Sequence, residues 1–278
     1  MTRYRALAVR SRYWRPGTDY RNVITGIIGR LAQNGDIIVI SEKAIAMALG
    51  RIYDESRVSP FWPARFLAAF WVPKVWGYLL GPLSRMSKIN IERLREYPRE
   101  EGARHKQVAL NYAGVLQALK HGSEGGIDVS NLPYAYACLP LLEAAEIAKE
   151  VKRHIRKTLS IDVDVMIVDS DKTYSFHNFH MAPRPSFIRG IHCLGIVAFV
   201  LGRFLRLRPR STPLALTPSR MNVDEALRVA AVSNKIRGSG AGKTIWDVAQ
   251  RFNVGVSGVS WEMLDGVPHY PIVIVRRC

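Results

Sequence analysis

Gly125-Gly126-Ile127-Asp128-Val129-Ser130-Asn131 is the stretch from which the fold and chemistry of this chain are best inferred. Glycine adopts positive φ freely and lets the backbone approach a ligand closely. The Asp128 carboxylate is a hard oxygen donor that suits a divalent cation, and the Asn131 amide both donates and accepts hydrogen bonds. The same residue types also form simple Asx turns that cap the next element. The stretch therefore predicts a polar turn, either structural or ligand-binding.

A second polar segment follows the apolar run 163–168, which has the composition of a largely buried strand. Asp169, Ser170 and Asp171 come directly after this run. Open α/β folds commonly bind ligands and metal ions at the carboxyl ends of their strands. Since one helix connects the two polar segments, Asp128 and Asp169 could share one cation.

Hydrophobic periodicity and turn residues predict an α/β fold of mixed sheets and helices. We expect strands at 6–9, 37–41, 163–168 and 272–275, and a strand-like run at 190–201. Helices are expected at 20–33, 141–159 and 244–252, within 89–116, and after a cap at Asn222 or Asp224. Asp19 is the expected cap of the first helix.

The two polar segments resemble motifs of a known family. The letters GGIDVSN are similar to A-G-I-D-x-S-N, and IVDSD at 167–171 is similar to I-T-D-T. Related spacing recurs in GDIIVIS at 35–41 before Gly50-Arg51, and in DGVP at 265–268 before the last strand. In this order the motifs resemble the coenzyme F-420:L-glutamate ligase family over most of the chain, as a divergent member.

The resemblance implies an amide ligase that adds L-glutamate in γ linkage to an anionic deazaflavin precursor, through an acyl phosphate. It also implies GTP as co-substrate, Mg²⁺ or Mn²⁺ as cofactor, and a homodimer with its active site near the subunit contact. By this resemblance Asp128 and Asp169 would bind the metal, with Ser170 as a weaker third ligand. The residues that would contact the nucleotide are Asn131, Ser41, Lys43, Arg12, Gly240 and Lys243. No catalytic residue is identified.

Two elements of the family pattern are altered in this chain. The family has S-K-x-E-G-R, whereas residues 46–51 are Ala-Met-Ala-Leu-Gly-Arg, so Lys43 would have to act from one helical turn away. The family continues G-R-x-x-R-x-G after I-T-D-T, and here this pattern is missing. Three outcomes stay open: a divergent ligase, a paralogue with another acid or amine, or a member that has lost activity.

The glycine-rich segment 237–244, RGSGAGKT, invites comparison with a phosphate-binding P-loop. A Walker A motif requires G-x-x-x-x-G-K-[ST] after a strand, but here Arg237 occupies the first glycine position and a helix precedes it. A P-loop ATPase fold is therefore rejected. The backbone N–H groups of the segment can still bind phosphate.

The chain of 278 residues carries a formal net charge of +17 and a pI near 10.1. Such a charge favours anionic partners, and it raises the alternative of a nucleic-acid or anionic-surface binding protein that uses the arginines at 203–210. No helix-turn-helix, RRM or zinc signature is present, so no specific nucleic-acid partner is expected. Three scattered cysteines and the lack of an apolar leader run favour a cytoplasmic protein.

The chain is expected to form one ligase-like unit over 1–278, with two subdomains as an alternative. Residues 54–88 form an aromatic-rich insertion, and 238–264 hold the glycine-rich loop and an extra helix. The apolar stretch 61–83 contains prolines and cations and is not a convincing membrane span. Internal packing is expected for it, with a membrane surface, a dimer contact or a lid as alternatives.

Overall fold

The computed structural model describes residues 3–218 and 221–278. Its strands are β1 (Tyr4–Ser11), β2 (Ile37–Ser41), β3 (Ile52–Asp54), β4 (Tyr136–Cys138), β5 (Asp164–Phe176), β6 (Phe179–Ala182), β7 (Ile191–Cys193), β8 (Arg208–Thr217) and β9 (His269–Arg277). Its helices are Tyr20–Ile28, Glu42–Ala48, Trp62–Leu83, Lys88–Arg95, Arg99–Tyr112, Val115–Ala118, Ala144–Leu159, Ile196–Phe204, Val223–Arg237, Ile245–Phe252 and Trp261–Asp265.

Within these residues one mixed sheet of seven strands has the order β1-β9-β2-β5-β6-β7, with β8 also paired to β5. Strands β2 and β5 are parallel and in register from Ile37 opposite Asp164 to Ser41 opposite Val168. Strand β9 is antiparallel to both β1 and β2, and β8 is antiparallel to β5. Strands β3 and β4 form a separate pair. The predicted α/β fold with mixed sheets is confirmed.

Both faces of the central strands are buried, as their continuous apolar sequence requires. On one face, Ile38 and Ile40 of β2 lie in a core cluster with Ile24, Ile28 and Ile147 of two helices. The residues of the opposite face that pack against the helix Val223–Arg237 are Ile37, Val39, Met166 and Val273. The sheet is thus a layer between helices, and its strand ends are held in fixed positions.

Local capping chemistry explains where several helices begin. The Asp19 side chain accepts a hydrogen bond from the Asn22 amide, and Asn222 caps its helix by accepting from the Glu225 amide at 2.8 Å. Such caps satisfy N–H groups that have no partner within the helix. The predicted caps Asp19 and Asn222 are therefore present, although the first helix ends at Ile28 rather than at 33.

Three predicted elements differ from the structure. The apolar run at 190–201 forms the short β7 followed by the helix Ile196–Phe204, because periodicity alone does not separate a buried strand from a buried helix. The helical region 89–116 is divided, with Pro98 at the start of one helix and Gly114, at φ 86°, before the next. Strand β5 runs on to Phe176, well past the predicted end at 168.

The aromatic segment forms the helix Trp62–Leu83, whose backbone has π-type hydrogen bonding over Leu67–Leu80. Among the helices that the structure describes, this one alone is long enough and apolar enough, by length and composition, to cross a membrane. Core helices of soluble proteins meet the same criterion. Its inner side is packed: Val72 and Trp76 are buried, and the Trp76 indole N–H donates to the Leu119 carbonyl at 2.8 Å.

We expect Gly202→Ala to lower the free energy of unfolding by roughly 1–3 kcal/mol, because overpacking strains a filled core. A methyl group on Gly202 would lie 2.2 Å from the ring of Tyr174 in β5. Gly26→Ala is the matched control, since a methyl group there meets no atom of the described residues within 4 Å, and it should raise the free energy of unfolding by about 0.5–1 kcal/mol. Urea unfolding of both variants tests this prediction. Equal stability of the two variants would contradict the packing of the helix Ile196–Phe204, which contains Gly202, on β5.

Candidate functional site

The parallel pairing of β2 and β5 ends where polar residues begin. Strand β2 ends at Ser41, opposite Val168, and the pairing of β5 with β8 shifts register between Asp169 and Lys172. This irregularity is a bulge-like insertion, which re-aims side chains next to a strand. Asp169, Ser170 and Asp171 therefore lie inside the long strand β5 rather than in a turn after it. They are nevertheless at the carboxyl edge of the parallel pair β2 and β5.

A cavity of about 520 Å³ opens at this edge. Of the predicted site residues, those that line it are Asp128, Asp169, Ser170, Asn131, Ser41, Lys43, Gly240 and Lys243. Arg12 does not line it: its side chain is exposed, and its carbonyl accepts a hydrogen bond from His269 at 3.0 Å. A basic loop does not reveal which of its side chains point toward a cavity: here Tyr13 and Trp14 line it, and the predicted contact of Arg12 with a nucleotide stays a prediction.

Lys43 and the predicted polar turn form one charged unit. The Lys43 ammonium lies 2.5 Å from Asp128 Oδ2 and donates to the Ser130 carbonyl at 2.8 Å. The Ser130 amide donates to Asp128 Oδ1 at 2.7 Å, which closes an Asx turn. The Asp128 carboxylate thus orders the backbone as an Asx turn does, and it also lines the cavity, where its binding of a ligand stays a prediction.

Arg184 lies behind the cavity and joins three parts of the chain. Its buried guanidinium donates to both carboxylate oxygens of Glu42 and, at 2.7 Å, to Asp169 Oδ2. Burial alone would raise the pKa of Asp169, but Arg184 and backbone N–H groups outweigh it and lower that pKa. A methyl group on Gly126 would lie 2.4 Å from Arg184 Cζ, so glycine is required where the polar turn crosses the guanidinium.

Asn131 holds the glycine-rich loop in place. Its Oδ1 accepts from the amides of Ala241 at 2.7 Å and Gly242 at 3.2 Å, and its Nδ2 donates to the Gly242 carbonyl at 2.8 Å. A methyl group on Gly240, at φ +62°, would lie 2.9 Å from Asn131 Oδ1. The side chain predicted to contact a nucleotide is therefore engaged by the loop, and its contact with a nucleotide stays a prediction.

Two cationic residues of the cavity were missed by the sequence reasoning. Lys172 and Arg237 both line it, and Arg237 is the last residue of the helix before the glycine loop. Arg237 Nη2 donates to Asn234 at 2.8 Å, whereas its enclosed Nη1 has no hydrogen-bond partner among the described residues. Burial lowers the pKa of Arg237, while Asp169 and Asp128 oppose that shift. A cation directly before a glycine-rich loop was the available signal.

The donor set of the cavity is compatible with a phosphate-bound Mg²⁺ or Mn²⁺. Asp128, Asp169 and Ser170 offer the hard oxygen ligands that these ions prefer, and Mg²⁺ is commonly held by one or two carboxylates together with phosphates and water. Among residues 3–218 and 221–278 no group of three or more His, Cys, Asp or Glu residues forms a metal cluster.

A second cavity of about 320 Å³ adjoins the first. The residues that line both are Asp128, Ser130, Ser170 and Lys243. Its lining includes the apolar side chains of Leu94 and Tyr97 from one part of the chain and Trp246 from another. Arg93 connects these two parts: its Nη1 lies 3.1 Å from Asp247 Oδ1, and its guanidinium lies 5.6 Å from the centre of the Trp246 ring. The two cavities thus form a bipartite site with a shared polar junction.

A buried charge network lies beside the second cavity. Glu124 is fully buried and accepts from Lys106 at 2.6 Å, while its other oxygen lies 2.8 Å from His105 Nε2. His105 Nδ1 is 2.6 Å from Glu55. Burial opposes the imidazolium, but Glu55 and Glu124 outweigh it and raise the pKa of His105 to about 10. The charged imidazole therefore stabilises the fold beside the predicted polar turn.

Because the folded pKa of His105 lies above its ordinary value of 6.5, its contribution is complete below pH 6.5 and disappears as pH rises through about 10. We expect the difference in unfolding free energy between the native protein and His105→Gln to shrink by roughly 3–4 kcal/mol between pH 7 and pH 10. Denaturant titrations at both pH values measure it. A difference that does not change with pH would show that His105 is neutral when folded.

Replacing Asn131 by glycine should loosen the glycine-rich loop without straining the left-handed backbone at 131, which has φ 54°. We expect the amides of Ala241 and Gly242 to exchange hydrogen at least about tenfold faster, because their acceptor is lost. Asn253→Gly is the control, since Asn253 has the same φ of 54°. Equal exchange rates in the two variants would contradict the role of the Asn131 side chain in holding the glycine-rich loop in place.

Comparison with known proteins assigns the chain to a family. The sequence model of the family described as F420-0:Gamma-glutamyl ligase matches residues 8–191. The uncharacterized protein MJ1361 of Methanocaldococcus jannaschii is 32% identical over 285 residues, covering 98% of this chain and 96% of that protein. The match supports a ligase in F420 biosynthesis, with an F420-type substrate and glutamate implied by the family. This chain therefore belongs to the F420-0:gamma-glutamyl ligase family, as the resemblance of its motifs predicted.

Proposed function

We propose that the protein is an amide ligase that uses GTP and a divalent metal to join L-glutamate, in γ linkage, to a carboxylate of an anionic deazaflavin substrate. The observation that carries the proposal is the convergence of two acidic residues, two predicted lysines and a glycine-rich loop on the larger cavity. These groups come from four separate chain segments. A homodimer and a cytoplasmic location belong to the same proposal.

The larger cavity suits a nucleotide triphosphate. Lys43, Lys172, Arg237 and Lys243 supply positive charge around it, and the glycine loop brings backbone N–H groups to its wall. Cations and oriented N–H groups bind phosphate oxygens. Mg²⁺ or Mn²⁺, held by Asp128 and Asp169 with Ser170, would neutralise charge on the transferred phosphoryl group. The geometry thus supports phosphoryl transfer at the junction of the two cavities.

The second cavity suits the acid substrate, since it meets the first at Asp128, Ser130, Ser170 and Lys243. A substrate carboxylate oxygen would attack the γ-phosphorus, and the bond to the β-phosphate oxygen would break to release GDP. The amine of glutamate would then attack the acyl carbon and expel phosphate while losing its proton. Lys243 at the junction would hold the carboxylate close to the nucleotide, and such positioning supplies much of the rate in this chemistry.

The alternative of nucleic-acid binding receives less support from the arginines at 203–210. Arg210 is 4% exposed and lies 2.6 Å from Asp224, and Arg203 donates to the Ser84 carbonyl at 2.6 Å. These two guanidinium groups therefore stabilise the fold and are not free to bind phosphates of a duplex. A paralogue that uses another acid or amine is the runner-up proposal. Under either proposal the second cavity would determine which acid substrate binds.

Calorimetric titration with GTP and ATP, with and without Mn²⁺, tests the proposal. We expect GTP to bind in a Mn²⁺-dependent manner, and Asp128→Asn to weaken that binding at least about tenfold, since a carboxylate ligand is lost. Arg237→Gln should weaken nucleotide binding by about tenfold with or without the metal, since a charge-assisted contact is removed. Asp128 is preferred to Asp169 as a target because Asp169 also neutralises the buried Arg184.

Arg12→Gln is the matched control, as Arg12 belongs to a basic loop beside the cavity but does not line it. It should leave nucleotide affinity within about twofold of the native value, as expected of an exposed charge outside the site. Absence of nucleotide binding in the native protein would overturn the ligase proposal. Loss of binding in Arg12→Gln equal to that in Arg237→Gln would overturn the assignment of the cavity.

A further inference from the structure

The helix Trp62–Leu83 has an exposed apolar side that residues 3–218 and 221–278 do not cover. Its inner side is buried, including Ala68, Val72 and Trp76. The outer side, which we call the aromatic ridge, consists of Phe61, Trp62, Phe66, Phe70, Tyr78, Leu79 and Leu83. Trp62 is 76% exposed and Leu79 is 62% exposed. Several large apolar side chains exposed along one helix mark an interaction site, whereas single exposed apolar residues do not.

The stretch of sequence that forms the aromatic ridge carries charged residues of one sign. From residue 56 to residue 91 the sequence contains no aspartate or glutamate, and its cations are Arg57, Arg65, Lys74, Arg85 and Lys88. Two of these cations pair with carboxylates from outside the stretch, Arg57 with Asp54 at 3.2 Å and Arg65 with Glu100 at 3.3 Å, but both cations are solvent-exposed and such pairs are worth little. The ridge therefore combines aromatic side chains with positive charge, on a chain whose net charge is +17.

A neighbouring helix extends this surface. Arg203, near the end of the helix Ile196–Phe204, donates through Nη2 to the carbonyl of Arg85 at 3.0 Å and so fixes the two helix ends together. The apolar residues that this second helix and its end leave exposed are Val197, Leu201, Phe204 and Leu205. The exposed Arg206 follows directly. Both helices thus present apolar and cationic side chains to their surroundings.

We propose that the aromatic ridge docks the protein on an anionic lipid surface, with the helix lying in the interface rather than crossing the bilayer. Tryptophan, tyrosine and phenylalanine beside lysine and arginine are typical of helices in that position. Crossing is disfavoured because the inner side of the helix is committed to the protein, where Trp71 and Trp76 donate to the Leu119 carbonyl.

Charge selects the lipid surface over a second copy of the chain. In a symmetric dimer through the ridge, each copy would bring the same five cations to the contact, against the two carboxylates, Asp54 and Glu100, that pair with them. Like charges brought together across an interface weaken association. An anionic surface instead attracts the lysine and arginine side chains that lie near its headgroups. This docking requires neither nucleotide binding nor ligase activity.

Sedimentation of the purified full chain with lipid vesicles tests the proposal. We expect binding to vesicles of phosphatidylcholine with roughly a third phosphatidylglycerol to exceed binding to phosphatidylcholine alone by about tenfold, and to weaken at high salt. The double variant Phe66→Ser/Phe70→Ser should reduce binding at least about tenfold through lost apolar burial. Arg65→Glu/Lys74→Glu should reduce it to a similar extent through reversed charge.

The matched controls are Leu142→Ser and Lys157→Glu, which alter exposed residues outside the ridge and should leave vesicle binding unchanged. Circular dichroism establishes that each variant is folded. Failure of the native protein to bind anionic vesicles, or equal binding by the ridge variants, would overturn the proposal. Sedimentation velocity that shows a dimer lost on Phe66→Ser/Phe70→Ser, without vesicle binding, would assign the ridge to a second copy instead.

Discussion

The buried guanidinium of Arg184 is the interaction on which the rest of the site depends. It neutralises Glu42 at the start of a helix and Asp169 in the irregular part of β5, and Gly126 of the polar turn lies against it. Losing one partner of a buried ionic cluster costs several kcal/mol, roughly 3–5, because an uncompensated charge remains. Three segments distant in sequence are thus tied together by one side chain, and none of them can shift independently.

This constraint also explains where ligand-binding groups can lie. The parallel pair β2 and β5 ends at Ser41 and Val168, and the register shift in β5 then turns Asp169 toward the cavity. The polar turn contributes Asp128 from one side, while Asn131 draws in the glycine-rich loop from the other. The position of the cavity is consequently a property of the sheet edge. Its charge, by contrast, comes from side chains of separate chain segments, such as Lys43, Asp128 and Lys243.

Local sequence chemistry predicted the features that depend on neighbours in the chain. The apolar strand Ile37–Ser41, the cap at Asp19 and the polar turn around Asp128 are all of this kind. The continuation of β5 past Asp169 was not predictable, because Asp-Ser-Asp is typical of a turn and only pairing with β8 keeps it extended. Arg237 and Arg12 show the same limit, since tertiary packing alone decides which cation is enclosed and which is exposed.

The altered family elements can be understood from where the charge now comes from. Lys43, one helical turn before the position of the missing lysine, pairs with Asp128, and Arg184 is committed to Glu42 and Asp169. Arg237, beyond the matched residues 8–191, supplies a further cation to the same cavity. Positive charge is thus kept where phosphates would bind. The second cavity, by contrast, is lined in part by Trp246, which also lies beyond the matched residues 8–191, so its lining is not set by the matched part of the chain alone.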